Sequence, residues 1–205
     1  MLEASFGVFI FEGGFFMKQR CQWADKSLIL QEYHDNYWGK PVFSNQELFQ
    51  NLSIQVLQSG LNFEVVLSKL SNILDAFDNF SVVKVSRYNE KDLQRLLHDG
   101  GIIKNERKIK AIIKNAKLIA DMSANGESFS DFLWAQVDFV PVNIYQRWNS
   151  KMNLEHPVSG RICTELKKRG FDFIGPVNIS FFLQASGIIN AHWINCEYYR
   201  KRWVE

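Results

Sequence analysis

The stretch RICTELKKRGFDFIGPVNISFFLQASG, residues 161–187, decides the fold. Arg161 to Lys168 reads as a helix, with Lys167-Lys168-Arg169 at its end, where cations suit the helix dipole. Gly170 to Gly175 is a tight connection. Pro176 opens a second helix at its first turn, which carries Phe181, Phe182 and Leu183 and stops at Gly187. A glycine-bounded turn feeding a helix start exposes backbone N–H groups, which bind a phosphate without reading sequence. Lys167, Lys168 and Arg169 add attraction for that phosphate. An ordinary helical hairpin with no ligand has the same pattern and is the commoner case.

Upstream, helical spacing dominates. From Asn105 to Ala124 the residues Ile109, Ile112, Ile113, Ala116, Ile119 and Ala120 form a buried stripe. Lys104, Arg107, Lys108, Lys110, Lys114 and Lys117 form the basic opposite face, which is usually a solvated one. Ser44-Asn45-Gln46-Glu47 is a capping box opening a helix with Leu48, Leu52, Val56 and Leu57 on one face, and Gly60 stops it. Asn62 caps a helix through Val65, Val66, Leu70, Ile73, Leu74 and Phe77, and Asn89 caps a short one ending before Gly100-Gly101. Asp25 caps a helix through Leu28, Ile29 and Tyr33. Ser128 to Val137 forms another, Pro141 to Pro157 an irregular loop, and a last helix holds His192 and Cys196. No alternating strand stands out, so the fold class is all-α.

The chain has 205 residues, enough for one domain with a real core or two small ones. Hydrophobic residues at 46% against 22% charged ones exclude a disordered chain. A formal net charge of +2 neither requires nor excludes nucleic acid. No apolar run has membrane-spanning length, so no membrane partner is expected. Met1 to Phe16 is apolar and glycine-bearing, but Lys18 and Arg20 follow the apolar run rather than precede it, unlike a secretory signal. Residues 1–16 therefore read as an N-terminal extension ahead of a start at Met17, and 17–205 as a single domain, in one piece or two helical lobes. Cys21, Cys163 and Cys196 make no disulfide framework, which points to a reducing, cytoplasmic compartment.

A second stretch carries chemistry. Tyr33-His34-Asp35-Asn36-Tyr37-Trp38-Gly39 packs three large rings, a histidine, a carboxylate and an amide into seven residues. That mix suits a pocket that stacks a flat ligand and hydrogen-bonds its edge, or a helix end whose rings plug the core. His192 and Cys196, four apart, have the spacing of metal ligands on one helix face. With Cys21 and His34 they would make a closed, structural Cys2His2 zinc site stapling the N-terminus to the C-terminal segment. The competing reading is two unrelated buried cysteines and two core histidines. Cys163, on an apolar helix face, is most simply a packed thiol.

The chain from Met17 to about Cys196 resembles the bacterial 3-methyladenine DNA glycosylase I family, helix-hairpin-helix enzymes of base-excision repair. The resemblance is carried by RCQW at 20–23, YHDNYWG at 33–39, QSGL at 58–61, GIIKNERKIKAIIKNA at 101–116, KKRGFDFIGP at 167–176 and FLQASGIINAH at 182–192. It implies a helix-hairpin-helix glycosylase fold with structural Zn2+ on Cys21, His34, His192 and Cys196. It implies a monomer acting on double-stranded DNA with alkylated bases, in the bacterial cytosol or nucleoid. Such an enzyme flips 3-methyladenine out of the duplex and hydrolyses its N-glycosidic bond. Trp23 and Tyr33 match the family's base-contacting rings, with Gln55 and Phe63 completing the pocket. Gln55 and Tyr33 stand as the catalytic pair, and Lys167, Lys168, Gly170 and Gly175 as contacts to the DNA backbone.

The pocket departs from the family. The stretch Ile54-Gln55-Val56-Leu57-Gln58-Ser59-Gly60-Leu61-Asn62-Phe63 puts Gln55 where the resemblance places a glutamate and Phe63 where it places a tryptophan. A Tyr-Ser pair common in the family is Ser180-Phe181 here, and Leu30 replaces an aromatic of some members. An amide can hydrogen-bond an adenine edge but supplies no charge for a cationic base. The alternatives are thus a glycosylase with weakened or shifted base choice and a non-catalytic, zinc-stapled DNA-binding relative. Glu64 is a substitute carboxylate that helical geometry is expected to turn away from Gln55. From another class, a helical metal-sensing or protein-interaction domain would need no DNA at all.

Overall fold

The computed structural model describes residues 19–146 and 156–201. The expected extension at 1–16 and residues 147–155 of the expected loop lie outside them. The described helices are α1 (Leu28–Asn36), α2 (Asn45–Gln58), α3 (Phe63–Ser68), α4 (Leu70–Ala76), α5 (Val82–Val85), α6 (Glu90–His98), α7 (Glu106–Ala124), α8 (Phe129–Trp134), α9 (Pro157–Lys168), α10 (Pro176–Ala185) and α11 (Tyr198–Lys201).

The caps explain most of the starts. Ser44 Oγ accepts from the Glu47 N–H at 3.4 Å, Asn62 Oδ1 from Glu64 at 3.0 Å, and Asn105 Oδ1 from Lys108 at 3.2 Å. At α6 the full reciprocal box forms, with Asp92 accepting from the Asn89 N–H at 3.0 Å. Asp25 does not cap α1. It lies in a 3-10 turn over Ala24–Lys26, and Ser27, in extended conformation, precedes the helix. The helix expected from Asn62 to Phe77 is two, because the chain leaves helical geometry at Lys69 (φ −104°, ψ 4°).

The interior is organised on α2. From Leu52 to Val56 it buries every residue, including Ser53 and Gln55, as a helix enclosed on all sides must. α7 packs on one side of it and α10 on another, and α10 in turn packs on α9. The connection between α9 and α10 is the expected hairpin, with Gly170 at φ +91° and Pro176 in the first turn of α10. Asn115 of α7 pins it, donating to Asp172 O at 3.1 Å and accepting from the Asp172 N–H at 2.9 Å. Phe171 and Ile174 point into the core.

The all-α reading needs one correction. Val142–Asn143 (β1) and Ile189–Asn190 (β2) pair in parallel, and Gln146 bridges to Trp193. This pairing also corrects the last helix: His192 and Cys196 lie on no helix. Their segment spends its backbone on the sheet edge, Ile144 donating to Asn190 O at 2.9 Å and Ile194 to Gln146 O at 3.1 Å. A turn closed by Cys196 N–H to Trp193 O at 2.8 Å then brings the two ligands together.

Candidate functional site

The four expected metal ligands converge. Sγ of Cys21 and Cys196, Nε2 of His34 and Nδ1 of His192 all belong to a buried cluster whose ligand atoms lie within 4.8 Å of one another. Cys21 Sγ to His192 Nδ1, Cys196 Sγ to His34 Nε2 and Cys196 Sγ to His192 Nδ1 are each 3.6 Å. A tetrahedral zinc with ordinary Zn–S and Zn–N bonds sets sulfur and nitrogen about 3.6 Å apart, so the donor set and its spacing fit such an ion. Cys196 is pulled toward the thiolate by its hydrogen bonds with Cys21 and the two imidazoles, whereas Cys21 is pushed the other way by Cys196 and by burial.

The surroundings match. His34 Nδ1 lies 2.9 Å from Asp35 Oδ1, leaving Nε2 directed at the cluster. Such a carboxylate fixes the ring's tautomer and orientation. Asp35 is gripped by Arg20, with Nε 2.9 Å from both carboxylate oxygens and an NH2 group 2.8 Å from one. Burial opposes its ionisation, but the bonds from Arg20 and His34 win and lower its pKa to about 2. Gly39, at φ +75°, is obligatory because a Cβ there would come 2.6 Å from His192 Nε2. The Glu197 N–H donates to Gln19 O at 2.9 Å, tying the two ends of the described chain beside the cluster.

A cavity of about 520 Å³ opens next to it. Its ring walls are Trp23, Tyr33, Trp38, Phe63 and Phe181, and its polar lining is Gln55, Gln58, Asn62, Gln184, Lys26 and Glu64, with Leu30 between. The structure thus brings Trp23, Tyr33, Gln55 and Phe63 into one cavity, as expected. The Tyr33 ring stands edge-on to Phe63 with centroids 4.9 Å apart, and burial raises its phenol above the usual range, keeping it protonated. Trp23 and Trp38 sit 5.0 Å apart, edge to face.

Several site features escaped sequence reasoning. Trp38 was visible in YHDNYWG, yet nothing in the sequence placed its ring on the cavity. Gln184 lies on an apolar run and reads as core. Glu64 corrects an expectation: it lines the same cavity as Gln55 instead of turning away. The nearby Ser27 hydroxyl and the hydrogen bond from Asn62 at 3.3 Å hold its carboxyl below the usual range. Lys108 does not belong to the basic face. It is buried, and its Nζ donates to Leu57 O at 2.6 Å and Ser59 O at 2.7 Å, closing the C-terminal end of α2.

The hairpin presents Lys167 and Lys168 in the open, Lys168 beside Glu165 at 2.7 Å. Gly170 and Gly175 bound the turn, and Gly175 caps α10 with no side-chain bond to its first N–H groups. Because α10 starts at this turn and carries Phe181 and Gln184, one rigid helix links the turn to the cavity over about 12 Å. Cys163 is buried, and burial raises its thiol, as a packed side chain requires. Among the described residues no helix is long and apolar enough to cross a membrane.

Comparison with known proteins gives a consistent match. The sequence model of a family described as methyladenine glycosylase matches residues 23–200. The chain is 37% identical over 178 residues to DNA-3-methyladenine glycosylase 1 of Escherichia coli (strain K12), covering 87% of this chain and 95% of that protein. A crystal structure of 3-methyladenine DNA glycosylase I superposes with a TM-score of 0.83 at 37% identity, over 87% of this chain and 98% of the other. A tyrosine-to-phenylalanine mutant of 3-methyladenine DNA glycosylase I, in complex with 3-methyladenine, superposes with a TM-score of 0.81 at 30% identity, over 87% and 96%.

Proposed function

The chain belongs to the methyladenine glycosylase family, and on that premise we propose that it is a base-excision repair DNA N-glycosylase of helix-hairpin-helix fold. It takes 3-methyladenine from alkylated double-stranded DNA and works as a single-domain monomer in the bacterial cytosol. The observation that carries this is the ring-walled cavity sharing α10 with the glycine hairpin. Backbone N–H groups at Gly170 to Gly175, with Lys167 and Lys168, hold phosphates and fix the duplex, while the far half of α10 lines the space for a flipped base.

The alkylated base is cationic and already a good leaving group. The site therefore needs recognition and a placed water more than a strong acid. Trp23, Tyr33 and Phe63 offer faces to the positive ring, and the attraction favours it over neutral adenine. Tyr33, a protonated phenol, donates to the base or the water and is no base itself. Gln55 can hydrogen-bond the base edge and orient water through its carbonyl oxygen, but adds no charge.

Cys21, His34, His192 and Cys196 hold zinc in this reading. With four protein ligands it is closed to water and supplies stability, not a catalytic hydroxide.

The test is release of free 3-methyladenine from alkylated duplex DNA by the purified protein, followed by chromatography. Release clearly above the spontaneous background is expected. No release by folded, zinc-loaded protein would overturn the enzyme assignment and leave the second reading, which rests on Gln55: a relative that binds damaged DNA without cutting it.

A further inference from the structure

The groove between α6 and α7 lies apart from the ring-walled cavity. It holds a space of about 320 Å³ over a floor of Leu93, Ile113 and the Tyr88 ring. Asn89 and Glu90, at the start of α6, form one wall. The other is a column of three lysines on α7: Lys110, Lys114 and Lys117. Residues three and four apart share a helix face, so these ammonium groups crowd one another, and like charges at such spacings weaken a helix. A solvated basic face ordinarily answers this with acidic neighbours. Only Lys110 is answered in full: its Nζ lies 2.5 Å from Glu106 Oε1, and Glu106 and then Glu90 hold its pKa above the ordinary value. Lys114 Nζ stands 3.9 Å from Asp172 Oδ2. Lys117 makes no ion pair among the described residues, although Asp121 follows one turn later. Lys114 and Lys117 thus leave positive charge over the groove.

The groove is continuous with the glycine hairpin. Asn115, next to Lys114, holds the Asp172 backbone by two hydrogen bonds, and Lys114 itself faces the Asp172 carboxylate. A DNA strand with a phosphate on the Gly170 to Gly175 N–H groups therefore passes beside Lys114. From Lys110 to Lys117 the helix advances about 10 Å, about three nucleotide steps of one strand.

Resting on the glycosylase reading, we propose that Lys114 and Lys117 seat the sugar–phosphate backbone of flanking duplex along this groove, a second and sequence-independent grip on DNA beyond the hairpin. Phosphates take the place of the acidic neighbours that the column lacks, and counterions are released as they do so. The apolar floor of Leu93, Ile113 and Tyr88 accommodates deoxyribose. This grip is indifferent to damage, so it serves retention on undamaged duplex and not the choice of base.

The probe is an undamaged, fluorescein-labelled duplex of about 20 base pairs, with binding followed by anisotropy as salt is raised. Lys114→Gln/Lys117→Gln should lower the slope of log affinity against log salt by about 1.8, at about 0.9 per phosphate contact, and reduce affinity at low salt by about ten-fold or more. Its melting temperature should hold or rise, because repulsion within the column is relieved. Lys84→Gln/Lys91→Gln removes the same charge from exposed positions off the groove and should leave the slope within about 0.5 of the wild type's. An unchanged slope in the folded groove variant, or equal losses in the two variants, would overturn the proposal. So would a groove variant that keeps duplex binding but loses a poly-glutamate peptide held by the wild type, which would assign the groove to an acidic protein. Release of 3-methyladenine from DNA together with an unchanged slope overturns this inference alone. A wild type with no salt-dependent duplex binding overturns the glycosylase reading with it.

Discussion

The Trp38 indole stands edge-on to the His192 imidazole, ring centroids 4.5 Å apart, while the same indole lines the cavity. Trp23 repeats the relationship with His34 at 5.4 Å. Two walls of the candidate base pocket thus rest directly on two of the candidate metal ligands. The candidate metal site and the pocket are mechanically one object, and perturbing the first should be felt in the second.

Metal removal is the direct check. Elemental analysis should find about one zinc per chain, and a strong chelator should lower the melting temperature along with activity. Cys196→Ser should cost several kcal/mol of stability and reduce zinc content. Chelated protein that keeps both its melting temperature and its tryptophan emission would show that the cluster is merely packed.

Asp35 should matter through His34. Asp35→Asn is expected to weaken metal affinity by roughly 10–100-fold, measured by competition with a chelating dye. The sign with pH follows from a folded-state pKa near 2 against an ordinary 3.8. Ionised Asp35 stabilises the fold above the ordinary value, and that contribution is lost as pH falls toward 2. The stability gap between wild type and Asp35→Asn should therefore close over that window, and a gap independent of pH would argue against the ion pair.

Gln55→Glu puts a carboxylate where the family resemblance places a glutamate. Single-turnover release of 3-methyladenine should rise by about ten-fold, the worth of a charge-assisted over a neutral hydrogen bond. Gln55 is only 4% exposed, so burial should push the introduced carboxyl's pKa up. The gain should then grow with pH as the carboxyl ionises, a limb the wild-type profile lacks. Equal rates at all pH values would mean that no charge is felt by the base.

Lys108→Met leaves the Leu57 and Ser59 carbonyls without their donor. Urea denaturation should show a loss of about 1–3 kcal/mol. Because those carbonyls end the helix that carries Gln55, base affinity should fall as well, and an unchanged midpoint would refute the capping role.

Much of this was readable in advance because it is written locally. Ser44, Asn62, Asn89 and Asn105 name their helix starts through bonds spanning two or three residues, and the Gly170–Pro176 connection follows from backbone preference alone. What failed was set by distant partners. Lys108 sits among basic neighbours, and its burial depends on α2. Its stripe through Ala111 and Asn115, at three- and four-residue spacing, was the available signal. His192 and Cys196 have helical spacing, yet β1 claims the backbone before them. The four cluster residues were recognisable as residue types and through family resemblance, whereas the hydrogen bond from Gln184 to Ser180 and the ring contacts of Trp38 exist only in three dimensions.

The cysteine–histidine cluster joins residues 171 positions apart, Cys21 and His192. A ribosome makes the cavity's first wall, Trp23 and Tyr33, well before His192 and Cys196, the cluster residues that stand beside it. The growing chain accordingly has no braced cavity until the segment through Cys196 has emerged. Closing so long a loop carries an entropic cost, which a metal ion on the four side chains would offset only once Cys196 is in place. A chain lacking Cys196 would lose one of the four side chains of the cluster on which Trp23 and Trp38 rest.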